Sequence, residues 1–513
     1  MAERVPLLPQ RVLREGDGRE RKCGGGGGGG GNGRWWRDLA REVCKVGRVA
    51  LPMAAVSVSQ YAVQVASNMM VGHLPGVLPL SASAIATSLA TVSGFSLLIG
   101  MASGLETLCG QAYGAKQYDK LGLQTYRAMV TLVIVSIPIS LLWVFIGKLL
   151  ILIGQDPLIS KEAGRYIAWL IPGLFAYAVS QPLTKFLQSQ SLIVPMLWSS
   201  IATLLLHIPL CWLLVFKTSL GYIGASLAIS LSYWLNVIML AAYIRYSDSC
   251  KETRSPPTVE AFKGVGVFLR LALPSALMLC FEWWSFEILI LVAGLLPNPE
   301  LQTSVLSICL TTVTLLFTIP YGLGAAVSTR VANELGAGNP EGARSAVRIV
   351  MYIAVLEAAL ITSTLLASQH ILGYAYSSDK EVVAYVNALI PFVCVSVAAD
   401  SLQGVLSGHT RCIARGCGWQ HLGAYVNLGS FYLVGIPVAL FLGFVLKMEG
   451  KGLWMGISCG SIVQFLLLAV ITFFSNWQKM SEKARERVFS DELSDSDKES
   501  LVSDGSNMLY FDH

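Results

Sequence analysis

ETLCGQAYGAKQYDKL, from Glu106 to Leu121, and STRVANELGAGNPEGA, from Ser328 to Ala343, are two copies of one pattern. At an offset of 222 residues Thr107 matches Thr329, Gly114 matches Gly336, Ala115 matches Ala337, and Asp119 resembles Glu341. Further on, Gly224 and Ser226 match Gly456 and Ser458 at an offset of 232. Such self-similarity is the mark of an internally duplicated fold. Each copy also closes a long apolar run, so the segments between the copies decide how the halves are oriented.

Counting outward from the two motifs gives twelve apolar segments, the first near 46–71 and the last near 452–475. Each approaches the roughly 20 residues that a helix needs to cross a bilayer. The runs are continuous and lack the alternation of a barrel strand, so a β-barrel is excluded. Composition agrees: 54% of the 513 residues are hydrophobic and 13% charged, about half the charge of a soluble domain. The expected fold is an all-α polytopic membrane protein of twelve transmembrane helices in two pseudo-symmetric six-helix lobes. Six helices separate the repeats, an even number, so the halves share an orientation about an axis along the membrane normal. A midplane site between such halves is a recurring transporter design.

The expected organisation is a disordered N-terminus over 1–42, with eight glycines at Gly24–Gly31. An N-lobe over 43–247, an inter-lobe linker over 248–266 and a C-lobe over 267–478 come next. A disordered acidic tail over 479–513 carries Asp491, Asp495, Asp497 and Asp504. With both ends on one face, 30 of the 37 Lys and Arg fall on that face. The positive-inside rule then puts both termini in the cytosol. Neither end shows a short apolar core with a cleavage site, so no signal peptide is expected.

Enzyme chemistry finds no support. GQAYGAK (Gly110–Lys116) lacks the Gly-Lys-Ser/Thr ending of a P-loop. Ser, His and Asp never approach a hydrolase pattern, and His207 reads as a packed polar residue. The eleven cysteines are scattered. Cys412 and Cys417 have no histidine at zinc spacing, so no metal is expected. No cofactor and no nucleic-acid partner are expected either.

A charged side chain inside a bilayer costs several kcal/mol, which makes it a functional candidate by default. Glu282 and Glu287 lie in CFEWWSFEILIL of segment 7, Asp400 in VSVAADSLQGVL of segment 10, and Glu357 in segment 9. Five residues apart, Glu282 and Glu287 are about 140° apart around a helix, so they are not expected to share a cavity. Glu282 and Asp400 are the stronger candidates. Glu287 is weaker, and Glu357 reads as a carboxyl satisfied by a neighbouring hydroxyl or backbone group. Burial makes a carboxyl hold its proton more tightly, so a buried acid can load in an acidic compartment and release to a neutral cytosol. Segment 1 has no acid, only Gln60, Gln64 and Asn68, so any coupling site belongs to the second half. Gln403 and Asn427 are expected as neighbours of the acids. Together with Glu287, Gln403 and Asn427, the residues Gln64, Trp283, Trp284 and Tyr425 are the candidate substrate or cavity residues.

MMVGHL (Met69–Leu74), the first motif, QPLTKFLQSQS (Gln181–Ser191), FEWWSFE (Phe281–Glu287), STRVANELGAGNP (Ser328–Pro340) and RGCGWQHLGAYVNLGSFYLVGIP (Arg415–Pro437) stand in order along the chain. Over nearly all of residues 40–478 the sequence resembles the plant branch of the multidrug and toxic compound extrusion (MATE) transporters. That resemblance implies two six-helix lobes working by rocker-switch alternating access. It implies proton-coupled export of secondary metabolites, xenobiotics or organic cations, small organic solutes exchanged against protons by a monomer in the bilayer. It carries the protonatable Glu of helix 7 onto Glu282 and the Asp of helix 10 onto Asp400. Bacterial relatives often use an Asp of helix 1, which this chain lacks.

One departure stands out. Between Leu406–Gly408 and ARGCGWQ the residues His409, Thr410, Arg411, Cys412 and Ile413 intervene, about four more than the family pattern. A loop bulge would absorb them at little cost, whereas a continued helix would add about 6 Å and rotate the next segment. An impaired variant, an uncoupled facilitator, a lipid flippase and a sodium-coupled antiporter stay open beside the proton-coupled reading. Glu3-Arg-Val-Pro-Leu7-Leu8 resembles an acidic dileucine signal, which points to the vacuolar membrane rather than the plasma membrane.

Overall fold

The computed structural model describes the backbone over residues 31–75, 78–256, 259–376, 380–417 and 420–489. Among the described residues there is no strand. Among the described residues twelve helices are long and apolar enough to span a membrane. In the first half they are α1 (Gly31–Gly72), α2 (Leu78–Gly114), α3 (Tyr118–Ile153), α4 (Pro157–Ser189), α5 (Ile193–Phe216) and α6 (Tyr222–Tyr246). The second half holds α7 (Val265–Ala293), α8 (Pro299–Gly336), α9 (Pro340–Ala367), α10 (Lys380–Cys417), α11 (Gln420–Val445) and α12 (Glu449–Phe473). A further helix, α13, covers 477–489.

Local chemistry sets several of the ends. Asp156 caps α4, its carboxylate accepting from the N–H groups of Leu158 (2.9 Å) and Ile159 (3.0 Å), with Pro157 in the first turn. Asn339 and Pro340 do the same for α9, where the Asn339 side chain accepts from the Gly342 N–H at 3.0 Å. Both show the usual N-terminal logic of a side-chain acceptor preceding proline. α3 stops at Gly154, whose φ of +97° favours glycine.

Three buried apolar clusters map the architecture. One lies almost wholly within α1–α6, a second within α7–α12. The third joins α1, α8 and α9 to α13 through Ala50, Val331, Leu335, Met480 and Ala484. The lobes meet mainly along α2, which packs on α7 and α8.

Three expectations change. α1 begins at Gly31, inside the stretch expected to be structureless to residue 42, because GRWWRDLAREV is helix-competent and free of proline. The tail expected to be disordered from 479 is helical to 489. There Arg487 Nη1 donates to Gln111 Oε1 (3.0 Å) and Lys120 Nζ to the Val488 carbonyl (2.6 Å), while Met480 and Ala484 bury their side chains. Finally, α10 runs as helix through His409–Ile413 and does not bulge. Between Thr410 and Arg415 no glycine or proline offers a break. The dileucine-like stretch and the acidic residues beyond 489 lie outside the described residues.

Candidate functional site

A cavity of about 550 Å³ lies between the two lobes. From the first half it is lined by α1 (Tyr61, Gln64, Val65, Asn68) and α2 (Ala84, Thr87, Ser88, Thr91, Val92). The second half contributes Glu282, Trp283, Phe286 and Glu287 of α7, five residues of α8 from Leu310 to Phe317, Asp400 and Gln403 of α10, and Phe431 of α11. Among the described residues the wall holds three carboxylic acids and no lysine or arginine.

Glu282 and Asp400 are 5% and 6% exposed, so each is shielded from bulk water. Both face this one cavity, near enough to interact electrostatically. Behind Glu282 stands Asn427, itself buried. Its Nδ2 donates to the Met278 carbonyl at 2.6 Å and more weakly to Glu282 Oε2 at 3.4 Å. Gln464 Nε2 in turn donates to Asn427 Oδ1 at 2.7 Å, which fixes the amide's direction. Ser396, one turn before Asp400 on α10, donates to Asp400 Oδ2 at a long 3.5 Å. The acids therefore sit in a polar seam of the second lobe made by α7, α10, α11 and α12.

Glu287, a candidate cavity residue, lines the cavity; what is corrected is the expectation that it and Glu282 would not share one. On α7 the residues 282, 283, 286 and 287 cover an arc of about 140°, and the whole arc faces the cavity. The two glutamates mark its edges: Glu282 leans toward Asn427 of its own lobe, while Glu287 accepts a hydrogen bond from Ser88 of the other at 3.0 Å. The spacing argument is sound, but the cavity is wider than one helix face. Tyr425 is also corrected, being 67% exposed on the outer side of α11. Trp283 lines the cavity. Trp284 does not; its indole N–H donates to the Val92 carbonyl across the lobe boundary at 3.0 Å. That carbonyl belongs to a π-helical turn, Thr91–Phe95, and π turns are frequent at functional sites. Asn427 supports the site from behind. Gln64 and Gln403 line it. Glu357 lies outside the lining, its carboxyl oxygens buried beside the Ser401 hydroxyl.

Reading the sequence missed the hydroxyl groups of the wall: Thr87, Ser88 and Thr91 on α2, Thr311 and Thr314 on α8. Their three- and four-residue spacing was a visible signal, the polar stripe of an otherwise apolar helix.

Away from the cavity, toward the helix ends that carry the two repeat motifs, the lobes close on each other. A Cβ on Gly114 would collide with the backbone carbonyl of Asn333, and one on Gly336 with that of Gln111. These two contacts are equivalent under the 222-residue offset. So are Gly100 against Ala276 and Gly322 against Ala54. Gln188 donates to Thr329 Oγ1 (3.3 Å), and its counterpart at offset 232, Gln420, donates to Thr107 Oγ1 (2.9 Å). The duplicated motifs thus form a pseudo-two-fold seam that seals the motif end below the cavity.

The MatE family profile matches the chain twice, over residues 52–213 and 274–441, once in each half. The chain belongs to the MatE family. Its members are transporters, not enzymes, and this MatE protein is a multi-pass membrane protein with their twelve-helix, two-lobed fold. It is 52% identical over 458 residues to Protein DETOXIFICATION 10 of Arabidopsis thaliana, covering 88% of this chain and 93% of that one. It is 53% identical over 439 residues to Protein DETOXIFICATION 12 of the same plant, covering 86% and 90%. The crystal structure of the eukaryotic MATE transporter AtDTX14 superposes with a TM-score of 0.84 at 53% identity, covering 88% of this chain and 99% of that one. The outward-facing conformation of a multidrug resistance MATE transporter superposes with a TM-score of 0.75 at 16% identity, covering 87% and 98%, a likeness of fold.

Proposed function

We propose that this MATE transporter is a proton-coupled antiporter that exports organic solutes, organic cations and amphipathic secondary metabolites or xenobiotics among them, from the cytosol. The observation that carries the reading is the placement of Glu282 and Asp400, two buried acids facing one inter-lobe cavity whose wall, among the described residues, has no basic side chain. Such a wall suits a cationic solute or a proton, and occupancy by one disfavours the other, which is the basis of exchange. Glu287, the hydroxyls of α2 and α8, and the rings of Trp283 and Phe286 supply polar and stacking contacts for a broad range of solutes. The motif end, where the basic residues collect, is assigned to the cytosol. The sealed seam then corresponds to the state closed toward the cytosol, and rocking of the lobes about it gives alternating access. The protein works as a monomer, and the dileucine-like N-terminus directs it to the vacuolar membrane.

The test is solute uptake into vesicles under an imposed pH gradient. Glu282→Gln and Asp400→Asn are each expected to abolish gradient-driven uptake while leaving the protein in the membrane. Full gradient dependence in both variants would refute the coupling site. Exchanging Na⁺ for K⁺ at fixed pH separates sodium coupling, and a facilitator would equilibrate the solute without accumulating it.

A second reading has an observation of its own. Because α10 is helical through His409–Ile413, the roughly four extra residues advance the rest of the helix by about 6 Å, which fits a variant with impaired transport. Deleting four of them tests it: a rise in flux supports impairment, and equal flux removes the idea.

A further inference from the structure

Alternating access requires the motif end to open, and the inference rests on that reading. We propose that Lys185, Glu106 and Ser328 form a latch on the pseudo-two-fold axis of the seam, with Lys185 as the positioning residue that sets how readily the cytosolic side opens.

Glu106 and Ser328 occupy equivalent places in the two motifs, 222 residues apart. Equivalent places that touch lie on the symmetry axis, and these two do: Ser328 Oγ donates to Glu106 Oε2 at 2.6 Å. Lys185 Nζ holds the other oxygen, Oε1, at 2.6 Å, with the two side chains 4% and 5% exposed. The same ammonium donates to Gln188 Oε1 at 3.0 Å. That bond turns the Gln188 amide nitrogen across the seam, where it donates to the Ala325 carbonyl and to Thr329 Oγ1, both at 3.3 Å.

The departure from symmetry has a physical reason. Acids at both equivalent places would put two carboxylates face to face on the axis, where they repel. One copy therefore carries the acid and the other a hydroxyl donor. The division of bonds matters as much. Lys185 and Glu106 both belong to the first lobe, so parting the lobes leaves the ion pair intact. Of the bonds just described, those that break come from neutral partners, Ser328 to Glu106 and Gln188 to Ala325 and Thr329. Removing one member of a buried pair is strongly destabilising, and this arrangement lets the seam open without doing so. A hydrogen bond to a charged group biases an equilibrium about tenfold or more, and is still weak enough to reverse.

The experiment reads the seam directly. In the full-length protein, Ala325→Cys is introduced as a reporter. Its labelling by a membrane-impermeant maleimide is measured from the motif side of the vesicle, relative to the parent lacking the reporter. No solute and no pH gradient are needed, so failure of proton coupling appears in the uptake assay and leaves this one untouched. Ser328→Ala is expected to raise the labelling rate about tenfold or more. Lys185→Met is expected to raise it further, because an acid deprived of its bonded cation gains most from the water that opening admits. The double variant Glu106→Gln/Lys185→Met is expected to fall back toward the Ser328→Ala value, a rescue that loss of packing alone would not give. Unchanged labelling in Ser328→Ala and Lys185→Met would overturn the latch. Should Lys185→Met not reach the membrane, Ser328→Ala decides by itself.

Discussion

Glu282 and Glu287 show how far a single residue can be read before its surroundings are known. An acid in an apolar run is conspicuous because desolvation makes it costly, and that argument found all three carboxyls that face the cavity. The angular argument then separated two residues that the structure joins, since the cavity wraps about 140° of α7. Sequence places side chains around a helix and says nothing of how much of that helix a neighbour leaves uncovered. The same limit explains Tyr425, an aromatic beside a site residue that points outward. At this scale Glu287→Gln is informative. Glu287 stands at the other edge of the α7 arc from Glu282 and touches the first lobe through Ser88, which suits contact with solute. A partly exposed ion pair is worth about 1 kcal/mol or less, so the substitution is expected to raise KM for cationic solutes up to about fivefold. Neutral solutes and the pH dependence of uptake should be unaffected, and initial-rate kinetics on a matched pair of solutes checks this.

At the scale of elements, the twelve spans were legible because bilayer thickness imposes a length, and the duplication was legible because two motifs matched residue by residue. The role of the motifs was not. Their glycines read equally well as turns or caps. In the structure they are the places where α2 and α8 press backbone against backbone, as Gly114 does on Asn333. An alanine at Gly114 is therefore expected to disfavour the sealed state by about 1–3 kcal/mol. That appears as faster labelling of the Ala325→Cys reporter from the motif side. Gly266→Ala is the control, since a Cβ there meets nothing within 4 Å, and it should label like the parent. Equal behaviour of the two variants would show that the close approach at Gly114 is unimportant. The helical course of α10 through His409–Ile413 belongs to the same lesson. An inserted segment free of glycine and proline continues the helix it interrupts, because a break has to be encoded.

The whole molecule separates its charges by place. By sequence most basic residues are assigned to the motif face; among the described residues the buried Glu106–Lys185 pair stands beside the seam and three acids line the cavity. The seam and the cavity are two ends of one inter-lobe surface, so a change that opens one is expected to close the other. Proton coupling would drive that exchange. One pH unit is worth about 1.4 kcal/mol per proton, and a gradient of two units supports about hundredfold accumulation per proton exchanged. The direct measurement is accumulation of an organic cation in proteoliposomes acidic inside by two pH units. The account predicts an inside-to-outside ratio approaching about 100 for one-for-one exchange, abolished by a protonophore and indifferent to replacing Na⁺ with K⁺. A ratio that stays at one despite rapid flux, or that tracks the sodium gradient, would contradict it.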